Sequence, residues 1–186
     1  MPIQRMVRLT NGRPVPQDKE GNGSMTTVAV TGHMDLTDES VPLVRGALDT
    51  LLVGHDPATL VGVSCIAKGS DSLFADAVLA VGGSLVVVIP SQDYRQAKVR
   101  PDHAETFDRL VEAADEVLAM PHETANRQAY EAANAVLLER ADRLMAVWDG
   151  QPPSGKGGGT ADVVSEARHA GVPVDVVWPD GASRRA

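Results

Sequence analysis

Thr27-Val28-Ala29-Val30-Thr31-Gly32-His33 decides the fold: a short β-branched run fit for a buried strand stops at a glycine, where a loop must begin. Immediately after it, Val41, Val44, Leu48 and Leu51 or Leu52 fall at helical spacing. The alternation then repeats. Thr59 to Ile66 is a second apolar run, followed by Lys68-Gly69-Ser70-Asp71 and a helix through Leu73, Ala77, Val78 and Val81 that Gly82-Gly83 ends. Further strands are predicted at Leu85 to Ile89, Glu116 to Met120, Leu144 to Trp148 and Val174 to Trp178. Helices are predicted at Ala104 to Ala114, Thr124 to Ala141 and Thr160 to Ala170. Six strands apolar on both faces, separated by helices, indicate an α/β domain with a doubly wound, mainly parallel, Rossmann-like sheet.

Composition bounds what such a domain can do. At 186 residues with 43% hydrophobic residues, the chain holds one domain, read here as residues 25–179. Residues 1–24 carry Arg5, Arg8, Arg13 and Lys19 among prolines and glycines without an apolar period, and read as a flexible leader. Residues 180–186 read as a frayed tail. A net charge of -8 argues against nucleic acid and anionic membrane as partners, and two Phe, two Tyr and two Trp are too few for base-stacking platforms. The single cysteine, Cys65, excludes an internal disulfide and fits a cytoplasmic protein. No apolar run reaches the ~20 residues of a membrane span. His55, His103, His122 and His169 are scattered without ligand spacing, so no metal is expected, and no cofactor is called for.

In a doubly wound sheet, ligands bind beyond the carboxyl ends of the strands. The exits here are Thr31-Gly32-His33, Lys68-Gly69-Ser70-Asp71, Pro90 to Tyr94, and Trp148-Asp149-Gly150 through Gly159-Thr160. Three of the four are glycine turns entering helices, where backbone approaches a ligand closely and free N–H groups bind anions. Any one such turn is ordinary; three converging on one sheet edge favour a ligand. Gly150 to Lys156 matches the first seven positions of a P-loop, but Gly157 replaces the magnesium-binding Ser or Thr, and Pro152 and Pro153 remove two backbone donors. An NTPase is rejected. What remains is Gly157-Gly158-Gly159-Thr160 opening a helix, with Thr160 as N-cap and Asp162 in the first turn.

Val30-Thr31-Gly32-His33, Ala67-Lys68-Gly69-Ser70-Asp71, Val88-Ile89-Pro90, and Ala146 to Gly150 with Gly158 to Asp162 together resemble the SLOG superfamily, which takes in DprA/Smf-like proteins, LOG cytokinin-activating proteins and lysine-decarboxylase-like relatives. The resemblance runs from about Met25 to Pro179. It implies a Rossmann-like fold that binds nucleotides or nucleotide-derived molecules, used by some members for hydrolysis and by others for sensing or for holding nucleic acid, and it implies a homodimer. Enzymatic LOG proteins carry Pro-Gly-Gly-x-Gly-Thr-x-x-Glu and an Arg-Lys pair on the preceding helix. Here Val163 stands at the glutamate position, Ala133 and Asn134 at the pair, and Met34 follows the first-loop histidine.

The residues therefore predict a domain that binds a nucleotide, cyclic nucleotide or nucleotide-sugar-like ligand as a sensor or binding protein. Lys156 and the backbone of Gly157, Gly158, Gly159 and Thr160 would hold phosphate. Asp149 and Asp162 would address ribose or base, with Thr31, Gly32, His33, Lys68, Gly69, Asp71, Pro90 and Gly150 completing the site. A second expectation is a phosphoribohydrolase-like enzyme using Asp162 or Asp71 with water, and a third is a DNA-handling or partner-binding module. His33 has no carboxylate partner evident in sequence. Tyr94 and Tyr130 either cover a base or sit half-buried at the surface.

Overall fold

The computed structural model describes residues 7–9, 24–153, 155 and 158–185. Strands β2 (Thr26–Gly32), β3 (Leu60–Ser64), β4 (Ser84–Ile89), β5 (Glu116–Ala119), β6 (Arg143–Val147) and β7 (Val174–Val176) form the predicted parallel sheet. A further strand, β1 (Val7–Leu9), pairs antiparallel with β5 at the sheet edge. It lies in the segment expected to be a leader, and three residues are too few to show an alternation in sequence. The rest of residues 1–23 lies outside the described residues.

The helices are α1 (Ser40–Leu52), α2 (Ser70–Ala80), α3 (Tyr94–Ala97), α4 (Pro101–Ala113), α5 (Arg127–Arg140) and α6 (Thr160–His169). Alternate strand residues feed opposite faces, as the pleat requires. Val28 and Val30 pack against Leu48 of α1 and Phe74 of α2, whereas Ala29, with Val86 and Val88, packs under Leu137 of α5 and Val163 of α6. A third cluster continues the first face, where Leu85 and Val87 meet Phe107 and Leu110 of α4. Side chains of this kind contribute about 1.5–3 kcal/mol each when fully buried, so both faces hold the sheet.

The strand order is β1-β5-β4-β3-β2-β6-β7. The chain walks outward from β2 to β5, then crosses back to lay β6 on the other side of β2. That reversal is the topological switch point, and β2 is the strand quoted at the outset. No helix among the described residues is long and apolar enough to cross a membrane.

Candidate functional site

The loops after β2 and β3 touch so closely that only small residues fit between them. Ser70 donates its N–H to the His33 carbonyl at 3.2 Å and its hydroxyl to the same oxygen at 2.7 Å. A Cβ on Gly32 would stand 2.5 Å from Ser70 Cβ and 2.8 Å from Val147 Cβ. One on Gly69, at φ +88°, would stand 2.8 Å from the His33 carbonyl oxygen. Gly69 thus serves the crossing of two loops, and it does not line the cavity. Lys68 turns outward to Asp102 at 2.5 Å, and Gly150 also lies off the cavity wall. Of these three residues expected at the site, Gly69 is taken up by the loop crossing and Lys68 by a surface ion pair, and none lines the cavity. Lys156 and Gly157 lie outside the described residues.

The cavity so framed measures about 740 Å³ and sits over the carboxyl ends of β2, β3, β4 and β6, bounded by α5 and the start of α6. Thr31, Gly32, His33, Asp71, Pro90, Asp149, Gly158, Gly159, Thr160 and Asp162 all line it. So do Tyr94, Tyr130 and Asn134.

At its mouth, His33 finds the carboxylate that sequence did not offer. Its Nε2 lies 3.0 Å from Asp149 Oδ1 and 3.2 Å from the Asp149 backbone N–H, so either state of that ring nitrogen has a partner. The pairing joins residues 116 apart, because the parallel register of β2 on β6 sets Gly32 beside Val147. Trp178 holds the imidazole edge-on, ring centroids 5.6 Å apart. Burial alone would raise the Asp149 carboxyl; hydrogen bonds from the Gln151 N–H, His33 and Arg184 outweigh it and hold the group below its ordinary value.

The other end is less polar. Asp71, in the first turn of α2, shares it with Cys65 and Tyr94, and Tyr130 meets Tyr94 edge-on at 6.3 Å. Burial pushes the Asp71 carboxyl up to about 7, against the Ala67 N–H that favours its charged form. Burial, and secondarily Asp71, pushes the Cys65 thiol well above its ordinary range, which disfavours the thiolate form. The loop behind this wall is strained. Ile66 is a β-branched residue at φ +47°, held by Ser64 Oγ on its N–H and by His103 Nε2 and Ser72 Oγ on its carbonyl.

The start of α6 corrects the expected N-cap. Gly159, extended at φ -81° and ψ 172°, is the N-cap, and Thr160 is the first helical residue. Asp162 Oδ2 accepts the Gly159 N–H at 3.0 Å, so its carboxylate caps its own helix and occupies part of the donor set expected to bind phosphate. Val163, at the position of the LOG glutamate, is buried in the core. Sequence reasoning also missed Asp35, Lys98 and Arg184, all on the cavity wall. Four carboxyl groups, of Asp35, Asp71, Asp149 and Asp162, line it against Lys98 and Arg184 among the described residues.

A cavity at the switch point of a doubly wound sheet, walled by strand-exit loops, places the chain among Rossmann-like domains. No protein-family model matches the chain, and no curated protein matches it in sequence. Solved structures do. DNA processing protein A (DprA) from Streptococcus pneumoniae is 20% identical with a TM-score of 0.61, over 82% of this chain and 50% of that one. DprA from Helicobacter pylori, described for its single-stranded DNA binding mode, is 17% identical with a TM-score of 0.59, over 87% of this chain and 69% of that one. The Moco carrier protein from Chlamydomonas reinhardtii is 17% identical with a TM-score of 0.50, over 82% and 76% of the two chains. This chain spans about half the length of the pneumococcal protein. It has the Rossmann-like fold of these proteins.

Proposed function

We propose that the protein binds a nucleotide or nucleotide-derived small molecule in the switch-point cavity, as a sensor or binding protein. The observation that carries this reading is the cavity itself: its volume falls in the range of small-ligand sites, roughly 300–1,000 Å³, and its walls pair a tyrosine-lined apolar end with a hydrogen-bonding mouth. The first end suits a base and the second a sugar. With Asp162 turned back on Gly159, a ligand with few negative charges fits the walls better than a polyphosphate.

Thermal denaturation against a panel of nucleosides, nucleoside monophosphates, cyclic nucleotides and nucleotide sugars tests it. A ligand at 100 times its Kd adds about 2.7 kcal/mol, which for a chain of this size raises the melting temperature by roughly 5–10 °C. If no member of the panel moves the midpoint, the reading is wrong.

A second reading, hydrolysis of a nucleoside monophosphate's N-glycosidic bond, draws on Asp71, a carboxyl that titrates near neutrality within the cavity and so can pass a proton to a leaving base. Free base released by the wild type and absent with Asp71→Asn would promote it. Single-stranded DNA, the ligand named for the Helicobacter protein, finds no favourable field in a chain of net charge -8.

A further inference from the structure

Residues 183–185 are stitched to the loop that follows β2. Arg184 bridges Leu36 in an antiparallel pair, the Thr37 N–H donates to the Ser183 carbonyl at 3.1 Å, and the Arg185 N–H donates to the Asp35 carbonyl at 2.7 Å. The fully buried Ser40 anchors the segment: its hydroxyl accepts the Ser183 N–H at 2.7 Å and donates to the Ser183 carbonyl at 3.0 Å. Arg185 adds bonds to the Leu36 carbonyl and to Asp38. Backbone on both sides of Arg184 is therefore fixed, and the intervening guanidinium lies on the cavity wall.

Counting donors and acceptors shows what that guanidinium can still do. Arg184 has five N–H groups. Nε and Nη2 grip Asp35, at 2.9 Å to Oδ1 and 3.0 Å to Oδ2, and Nη1 reaches Asp149 Oδ2 at 3.3 Å. Among the described residues, one N–H on each terminal nitrogen is left. On Asp149, Oδ1 takes the Gln151 N–H at 3.1 Å and faces His33, while Oδ2 receives only Arg184 among the described residues and keeps an acceptor site. Remaining donors and a remaining acceptor thus sit side by side, already locked in place, so little side-chain entropy is lost on binding. Two carboxylates flanking one guanidinium repel a phosphate. They suit a pair of adjacent hydroxyls, one giving its proton to Asp149 and each receiving an N–H from Arg184.

We propose that Arg184, with Asp149, forms a diol-recognition site that makes the cavity specific for ribose over 2′-deoxyribose. The inference rests on the nucleotide-binding reading and names the sugar that reading leaves open. Dissociation constants are measured for the four ribonucleoside 5′-monophosphates and their 2′-deoxy counterparts, on the wild type and on Arg184→Ala. A site built to hydrogen-bond a hydroxyl rejects the analogue lacking it, so wild type should prefer the ribo form of whichever base it binds by about tenfold or more. In Arg184→Ala that ratio should fall toward one. A merely structural role for Arg184 would weaken both forms equally and leave the ratio unchanged. If Arg184→Ala does not fold, Arg184→Gln, which keeps an N–H donor, should lose part of the ratio. Equal binding of ribo and deoxy forms by wild type, or a preference that survives both substitutions, overturns the proposal while leaving nucleotide binding intact. Failure of every nucleotide to bind removes the underlying reading, and this one with it.

Discussion

Asp71→Asn is expected to raise the melting temperature at pH 8 by roughly 8–16 °C and to change it little at pH 4. The folded chain holds the Asp71 proton up to about pH 7, whereas the unfolded chain releases it near the ordinary value of 3.8. Between those values the unfolded state binds fewer protons than the folded one, so this group's contribution to stability falls as pH rises from about 4 to about 7 and is flat on either side. Each pKa unit corresponds to about 1.4 kcal/mol, so a rise of about three units puts the penalty carried by the ionised wild type above pH 7 at about 4 kcal/mol. Asparagine does not titrate, and its carbonyl can still accept the Ala67 N–H. The groups facing Asp71 do not cancel the effect: Cys65 and Tyr94 are both held un-ionised by burial, and Lys98 on the same wall forms no ion pair with it. Thermal melts of both proteins from pH 4 to pH 9 should show a gap that opens across this window. A gap of constant size would mean that Asp71 is not a buried acid with a raised pKa.

The residues that frame the cavity were legible to different degrees, for physical reasons. Thr27 to Thr31 announced a buried parallel strand because both its faces are apolar, and a parallel sheet places every loop after such a strand on one edge. From that step alone His33, Asp71, Pro90, Asp149 and Gly159 could be assigned to a common site, where they all lie. The pairing of His33 with Asp149 was not legible, because it depends on which strand neighbours β2 after the crossover, and the helices between them could equally have carried β6 to the far edge. Arg184 was harder still. Its segment has no period and no apolar residue to betray burial, and it is held by backbone bonds to the loop after β2 and by Ser40, which looks like an ordinary residue at the start of a helix. Asp162 was ambiguous for another reason. An acid in the first turn of a helix reads as a ligand group or as a cap with equal ease, and here Asp162 accepts the Gly159 N–H while also lining the cavity.

Gly69→Ala is expected to destabilise the chain by about 3–5 kcal/mol, while Gly150→Ala should cost only about 1 kcal/mol, although both glycines have positive φ. At Gly150, φ is +79° and no described residue lies within 4 Å of an added Cβ, so the penalty is that of placing alanine in a left-handed conformation. Gly69 is at φ +88° and ψ -127°, a region that residues with a Cβ scarcely enter, for which about 1–3 kcal/mol is the ordinary cost. Its added Cβ would also meet three backbone atoms, the His33 carbonyl oxygen at 2.8 Å and Met34 Cα and carbonyl oxygen at 2.9 Å. None of these is the end of a flexible side chain, so relief requires the loop after β2 to move away from α2. That movement would break both Ser70 bonds to the His33 carbonyl and shift His33 relative to Asp149. Stability and ligand affinity should therefore fall together in Gly69→Ala and stay near wild type in Gly150→Ala, as read by urea denaturation and by titration of the nucleotide that gives the largest thermal shift. Equal unfolding midpoints for the two variants would show that the crossing of these loops is looser than the 2.7 Å bond from Ser70 implies.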